Sequence, residues 1–150
     1  MLPEWIDYNG HVRDAYYGLI ASSACDALMD RIGVDAAYRK RRHCTLYTLE
    51  MHVHYLSEVK QSDSVAVEVT ILGSDAKRLH VGFTLRRAGA GTVAATVEFM
   101  LLHVHQGDGP GSAPFPPDVA AAIATLAAAA PAAGFGPGSR ALSLAGGGRK

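Results

Sequence analysis

The spacing of hydrophobic residues along the chain changes once, from a helical period to a strand period. Between Asp14 and Ile32 apolar residues recur at four-residue spacing, and Gly33 follows as a C-terminal cap, so this segment is predicted to form one amphipathic helix. The predicted buried stripe consists of Tyr16, Ile20, Ala24, Leu28 and Ile32, widened by Leu19, Ser23 and Ala27. One helix of about five turns therefore opens the fold.

After this helix, hydrophobic and polar residues alternate, which predicts β-strands. The first strand is predicted to have one apolar face made of Tyr47, Leu49, Met51, Val53 and Tyr55. Three further strands are predicted at Val65–Ile71, Leu79–Leu85 and Thr92–His105, with turns at Gly73–Lys77 and Arg87–Gly91. Such tight turns favour antiparallel pairing. The prediction is an α+β fold, in which an antiparallel sheet wraps around a long central helix.

The C-terminal part of the chain is less regular. Glycine and proline interrupt the pattern after Gln106, and a short helix is predicted from Pro117 through Ala130. A chain of 150 residues is long enough for one domain with its own core, which we expect to span residues 1–130. Residues 131–150 are rich in glycine and alanine and are predicted to form a flexible tail.

Charge and composition exclude several classes of function. The 14 basic and 14 acidic residues balance, which argues against nucleic acid as the main partner. The basic run Arg39–Arg42 is interpreted as a solvated segment after a helix. No apolar run approaches the length of a membrane span, and no signal peptide is visible. Two cysteines, Cys25 and Cys44, fit a reducing cytoplasm better than a disulfide framework.

Candidate chemistry lies just before the long helix, in the motif Asp7-Tyr8-Asn9-Gly10-His11. A helix N-terminus presents unpaired N–H groups and a partial positive charge, which together polarise a carbonyl oxygen. Asp7 would supply a nucleophile or a base beside that oxygen. The alternative is an inert loop in which Asn9 or Asp14 caps the helix.

The motif, the long helix and the hairpin-rich sheet together resemble the hotdog-fold acyl-CoA thioesterases of the 4-hydroxybenzoyl-CoA thioesterase type. Within that family the resemblance is greatest to the betainyl-CoA thioesterase branch, some of whose members are fused to carnitine dehydrogenase. The segments that carry it are Trp5–Tyr17, Tyr47–Glu50, Tyr55–Val59, Asp75–His80 and Ala94–His103. It implies hydrolysis of a small acyl-CoA, with betainyl-CoA favoured, in carnitine metabolism.

The same resemblance implies roles for residues of the motif. Asp7 would attack the thioester carbonyl or activate a water for that attack, and Asn9 and His11 would complete the catalytic set. His11 would orient Asp7 or contact the substrate. The implied oxyanion hole is made by the backbone N–H groups of Val12, Arg13 and Asp14. Removal of one such donor typically costs about 3 kcal/mol in the transition state.

Outside the motif, the resemblance implies that Lys77 and Arg78 contact the CoA phosphates, with a solvated turn as the alternative. Arg13 stands where relatives usually carry Asn, and it would either repel a cationic substrate or point to solvent. The mechanism requires neither a metal nor another cofactor. The expected assembly is a homodimer or homotetramer, because antiparallel sheets of this kind leave edge strands that often pair between copies.

Aromatic residues near the motif suggest how a trimethylammonium group would be recognised, since aromatic faces attract cations. The predicted substrate-binding residues are Trp5, Tyr16, Tyr17, Tyr47 and Glu50. Ordinary packing in the core or at an interface is the alternative for each ring.

Other constellations support competing interpretations. Two His-x-His pairs, His52–His54 and His103–His105, lie on predicted strands, where such pairs can bind zinc or iron. The long N-terminal helix does not suit a cupin-like metalloenzyme, so no metal site is predicted. The rival carboxylates are Glu50, Glu58 and Glu98. The alternative functions are a non-catalytic acyl-binding or assembly module and a hotdog dehydratase.

Overall fold

The computed structural model describes residues 1–89, 91–129 and 135. After a single 3-10 turn at Pro3–Trp5, the α-helices and strands of these residues are, in chain order, α1 (Asp14–Arg31), α2 (Ala36–Arg42), β1 (Cys44–Tyr55), β2 (Val65–Ser74), β3 (Arg78–Arg87), β4 (Val93–His105), the two-residue β5 (Gly111–Ser112) and α3 (Pro117–Ala128). The strands pair antiparallel in the order β1-β4-β3-β2, and β5 pairs with the end of β4. The prediction of an α+β fold with an antiparallel sheet and one long helix is confirmed.

The two central strands, β3 and β4, carry the core of the sheet. Leu79, Val81, Phe83 and Leu85 of β3 are inaccessible to solvent. The Phe83 ring lies 5.0 Å from the Phe99 ring of β4, centroid to centroid. Burial of each such side chain stabilises the fold by about 1.5–3 kcal/mol relative to exposure. The edges of the sheet are β1 and β2.

Helix α1 packs on this core through a stripe that differs from the predicted one. The buried residues of α1 and its C-cap are Tyr17, Ala21, Cys25, Leu28, Met29 and Ile32. Tyr16, Ile20 and Ala24 are only partly buried, and Leu19, Ser23 and Ala27 are exposed. A strict four-residue spacing drifts by about 40° per step around a helix with 3.6 residues per turn. The predicted stripe is therefore wrong in its first half and correct at Leu28 and Ile32.

A β-bulge divides β1 into two parts. Thr48 lies opposite Leu101 of β4, whereas Glu50 lies opposite Met100, so Leu49 is an additional residue without a partner. An extra residue of this kind interrupts the alternation of side chains between the two faces of a sheet.

The bulge places the apolar residues of β1 on different faces. Met51 lies opposite Phe99 and Tyr55 opposite Ala95, on the face that α1 covers. Tyr47 lies opposite Leu102, on the other face. The prediction of one apolar face from Tyr47 to Tyr55 is therefore wrong.

One short helix, α2, was not predicted, and it contains the basic run. The Asp35 side chain accepts the Tyr38 N–H at 2.7 Å and caps the helix. Tyr38 is buried, and its hydroxyl lies 2.7 Å from Nε2 of His103, whose Nδ1 lies 2.9 Å from the Ala113 carbonyl oxygen. The run Arg39–Arg42 forms the last turn of α2, where cations stabilise the negative end of the helix dipole.

The cysteines and the C-terminal region complete the fold. Cys25 and Cys44 are both buried and free, and burial raises the pKa of Cys25 to about 11, so this side chain is a thiol at neutral pH. Helix α3 ends at Ala128 rather than at the predicted Ala130. The predicted tail, residues 131–150, lies outside the described residues except for Phe135. No helix in the described part is long and apolar enough to cross a membrane.

Candidate active site

The motif before α1 folds into a tight loop closed by its own backbone. The Asp7 N–H donates to the carbonyl oxygen of His11 at 2.8 Å, and the Gly10 N–H donates to the carbonyl oxygen of Asp7 at 3.1 Å. Gly10 has φ +84°, a conformation that glycine adopts at little cost. Ile6 and Val12 pair on either side of the loop. These bonds fix the position of Asp7 just ahead of the helix.

The Asp7 carboxylate is held through one of its two oxygens. Oδ1 accepts the backbone N–H groups of Asn9 at 2.8 Å and His11 at 3.0 Å. Within the described residues no donor binds Oδ2. The His11 N–H holds the pKa of Asp7 below its usual 3.8, and the Asn9 N–H and the positive charge of Arg13 add to this effect. Asp7 is therefore ionised at neutral pH, with one oxygen available for reaction.

The predicted oxyanion hole needs correction at two of its three residues. The Val12 N–H donates to the Val59 carbonyl at 2.8 Å, and the Arg13 N–H donates to the Trp5 carbonyl at 2.9 Å. Because both N–H groups already bind acceptors inside the chain, the prediction that they donate to a substrate is wrong. Asp14 is the first residue of α1, where the N–H has no acceptor within the helix. Of the three predicted oxyanion-hole donors, only the backbone N–H of Asp14 remains a candidate.

The His11 side chain contacts a residue that is distant in sequence. Its Nε2 lies 3.1 Å from Oε2 of Glu58. An isolated backbone bridge between His11 and Lys60 holds the segment around Glu58 against the motif loop. The sequence analysis considered Glu58 only as a rival catalytic carboxylate. No local pattern could reveal this contact, because it depends on how the chain returns from the end of β1.

Two aromatic pairs flank the start of α1. The Trp5 and Tyr16 rings stack with their centroids 5.1 Å apart, and the Tyr17 and Tyr55 rings meet edge to face at 5.3 Å. The Tyr55 hydroxyl donates to the Asp14 carbonyl at 3.2 Å, which ties the end of β1 to the first turn of α1. Three of the predicted substrate-binding residues, Trp5, Tyr16 and Tyr17, therefore lie in this region.

Tyr47 and Glu50 lie elsewhere. Tyr47 precedes the bulge and Glu50 lies opposite Met100, so both are on the face of the sheet away from α1. The Tyr47 hydroxyl accepts a hydrogen bond from Nε2 of Gln106 at 2.9 Å. Tyr47 is eight residues from Tyr55 in β1, which is about 26 Å along the strand. Within one chain, Tyr47 and Glu50 therefore lie apart from Asp7, and their role in substrate binding stays a prediction.

The predicted CoA-binding pair lies at the far end of the sheet from the motif. Arg78 is the first residue of β3 and lies opposite Leu102. Its guanidinium is held by Asp75, whose Oδ2 lies 2.7 Å from Nε and 2.7 Å from Nη2 of Arg78. Lys77 Nζ donates to Oγ of Ser112 at 3.1 Å. A single chain therefore does not bring this pair next to Asp7.

The histidine pairs and the buried Glu98 do not form a second site. The His52 and His54 rings meet at 4.6 Å. Among the described residues, no three histidine, cysteine or acidic side chains lie close enough to hold a metal ion. Glu98 is buried, and its Oε2 lies 2.7 Å from Nε2 of His80, on the face of the sheet away from α1.

Comparison with known sequences places this architecture in a family. A sequence model of the thioesterase-like superfamily matches residues 1–123. A betainyl-CoA thioesterase of Pseudomonas aeruginosa is 50% identical over 129 residues, which cover 86% of this chain and 80% of that protein. An L-carnitine dehydrogenase/betainyl-CoA thioesterase of Rhizobium meliloti is 38% identical over 123 residues. That match covers 82% of this chain but 24% of the longer relative.

Solved structures agree with the sequence comparison. A Staphylococcus aureus protein, determined in complex with CoA, is 34% identical with a TM-score of 0.83, covering 87% of this chain and 82% of that one. A putative thioesterase from Pseudomonas putida KT2440 is 43% identical with a TM-score of 0.78, covering 96% of this chain and 90% of that one.

The chain belongs to the thioesterase-like superfamily, and its sheet and long helix form the hotdog fold. Within that class it is an acyl-CoA thioesterase, an enzyme that hydrolyses a thioester to an acid and a thiol.

Proposed function

We propose that this thioesterase hydrolyses betainyl-CoA to betaine and CoA, with Asp7 as the reacting carboxylate. The geometry of Asp7 is the observation that carries the proposal: two N–H groups hold Oδ1, while no donor in the described ranges binds Oδ2. The 50% identity to the betainyl-CoA thioesterase of Pseudomonas aeruginosa supports the choice of acyl group.

Two chemical routes fit this geometry. In the first, Oδ2 of Asp7 attacks the thioester carbon, the CoA thiolate leaves, and water hydrolyses the resulting anhydride. In the second, Oδ2 removes a proton from a water that attacks the carbon directly, and the C–S bond then breaks with departure of the CoA thiolate. Negative charge develops on the thioester oxygen in both, where the Asp14 N–H and the positive end of α1 would stabilise it. Asn9 and His11 contribute the backbone N–H groups that orient Asp7.

Other predicted contacts fit this function in different ways. Trp5 and Tyr16 lie stacked beside the motif, where they would contact the acyl group or the adjacent part of CoA. Arg13 remains a cation near Asp7, and its Nε donates to the Ile6 carbonyl at 3.3 Å, which directs this part of the guanidinium to the backbone. Lys77 and Arg78 would exchange their present partners for the phosphates of CoA.

We also propose a homodimer formed through β1. This twelve-residue edge strand has a partner on one side only among the described residues. Leu49, Met51 and Tyr55 are each more than half exposed, and Leu19 on the neighbouring helix is 46% exposed. A long apolar edge of this kind is stabilised by pairing with a second copy in a two-fold dimer. Pairing would continue the sheet and cover Leu19, Leu49 and Met51, whereas Tyr55 ends β1 and contacts the first turn of α1.

A panel of CoA esters tests the substrate. We expect kcat/KM for betainyl-CoA to exceed the values for acetyl-CoA and 4-hydroxybenzoyl-CoA by at least about tenfold, a preference of about 1.4 kcal/mol in transition-state binding. Release of the CoA thiol is followed with a thiol reagent, and enzyme without substrate is the blank. Absence of turnover across the panel would favour a non-catalytic acyl-binding module.

The pH profile tests the ionised state of Asp7. Because its pKa is lowered below 3.8, the carboxylate stays deprotonated as pH falls, so the Asp7 contribution to kcat/KM is constant between pH 7 and pH 5 and is lost only below pH 3.8. The profile is measured with a neutral acyl-CoA, and circular dichroism at each pH monitors unfolding. An acid limb centred above pH 5 in folded enzyme would contradict this assignment.

A further inference from the structure

A cleft of about 260 Å³ opens between the end of β1 and the first turn of α1. It is lined by Tyr17, Tyr55, Leu56, Ser57 and Glu58. Two aromatic rings set edge to face form one part of its wall, and a carboxylate forms another. An aromatic surface next to a carboxylate is the environment in which an organic cation is bound.

The charges around the cleft favour a cation. Glu58 is the one carboxylate among the described lining residues, and no lysine or arginine is among them. The imidazole of His11 lies against Glu58, with its Nε2 3.1 Å from Oε2, and Arg13, which is not a lining residue, directs its Nε to the Ile6 carbonyl. Burial raises the pKa of Tyr17, and the neighbouring Tyr55 and Glu58 side chains add to the rise, so the ring meets a ligand as a neutral phenol.

The cleft also lies within reach of the reacting carboxylate. The backbone N–H of His11 binds Oδ1 of Asp7, and the ring of the same residue binds Glu58. The single residue His11 therefore links the Asp7 carboxylate to the Glu58 carboxylate of the cleft. In a betainyl thioester, only a methylene group separates the carbonyl carbon from the trimethylammonium nitrogen. A substrate placed for attack by Asp7 would therefore extend its cationic end towards this cleft.

We propose that the Tyr17–Tyr55–Glu58 cleft binds the cationic end of the acyl group and that Glu58 determines the preference for a charged over a neutral acyl chain. This inference rests on the proposed function. The aromatic rings bind the methyl groups and the diffuse positive charge, and Glu58 supplies the compensating charge. Glu58 is 71% exposed in the free chain, so its side chain can turn towards a ligand without breaking a buried contact.

The test compares betainyl-CoA with 3,3-dimethylbutanoyl-CoA, in which a carbon atom replaces the nitrogen and removes the charge at nearly constant shape. We expect Glu58→Gln to lower kcat/KM for betainyl-CoA by about fivefold, the size expected for a partly exposed charge pair, and to change it less than twofold for the neutral ester. An equal loss for both esters would overturn the proposal, because it would show that Glu58 only positions His11.

Two further variants separate charge from packing. Glu68→Gln makes the same change on β2, at the opposite edge of the sheet, and should leave the ratio of the two kcat/KM values unchanged. Tyr55→Phe should keep the ratio, whereas Tyr55→Leu should lower it because the aromatic face is lost. A ratio that Tyr55→Leu leaves unchanged would also overturn the proposal.

The wild-type enzyme distinguishes failure of this inference from failure of the proposed function. Hydrolysis of betainyl-CoA with a ratio that Glu58→Gln does not alter would overturn the cleft assignment alone. Hydrolysis of the neutral ester without hydrolysis of betainyl-CoA would overturn both the cleft and the proposed substrate.

Discussion

Replacement of Asp7 by Asn lowers kcat for betainyl-CoA by at least about a thousandfold, which corresponds to about 4 kcal/mol of transition-state stabilisation. The amide is neither a nucleophile nor a base at neutral pH, so both chemical routes are blocked. The amide oxygen can still accept the N–H groups of Asn9 and His11 that Oδ1 accepts now, and the loop should keep its shape. The rate is measured from release of the CoA thiol.

The matched control is Asp26→Asn, which makes the same change at an exposed position on α1. We expect wild-type activity from that variant and a similar melting temperature for both. A folded Asp7→Asn enzyme that retained activity would rule out Asp7 as nucleophile and as base.

Replacement of Met51 by Glu dissociates the proposed dimer. Met51 lies on the edge strand, 54% exposed, and a Cβ built on Gly18 of α1 would lie 3.1 Å from its sulfur. In a two-fold dimer, the substitution introduces a negative charge from each copy into the same apolar contact. We expect the dimer to weaken by at least about a hundredfold, or about 2.8 kcal/mol. Analytical ultracentrifugation over a concentration series measures the change.

Val69→Glu is the control for this experiment, since it places the same charge on a half-exposed residue of β2, at the other edge of the sheet. That variant should sediment as the wild type does. A wild-type protein that remained monomeric at every concentration, or a Met51→Glu protein that remained dimeric, would contradict association through β1.

The long elements of this fold could be predicted from sequence because their periodicity persists over many residues. Helix α1 was predicted from Asp14, where the structure begins it, and four strands were predicted in their observed order. The bulge at Leu49 was missed because one additional residue reverses every later side chain without leaving a mark in the alternation. Helix α2 was missed because seven residues contain too few turns to show a period.

The candidate site could be predicted only where it is local. Asp7 and the hydrogen bonds around it belong to one short motif, so sequence was sufficient to propose them. The acceptor for the Val12 N–H is the Val59 carbonyl, which the chain reaches only after α1, α2 and β1 have folded. The contact between His11 and Glu58 depends on the same return of the chain. Both are properties of tertiary structure, which residue spacing along the sequence does not encode.

The buried ring of His103 also determines where a proton resides. A carbonyl oxygen can only accept, so the contact with Ala113 requires Nδ1 to carry the hydrogen. In the neutral ring, Nε2 is then an acceptor and receives the hydroxyl hydrogen of Tyr38. One tautomer of one imidazole therefore joins helix α2 to β4 and to the segment after β5. These three parts of the fold are aligned by the direction of hydrogen bonding, in addition to the shape of their apolar surfaces.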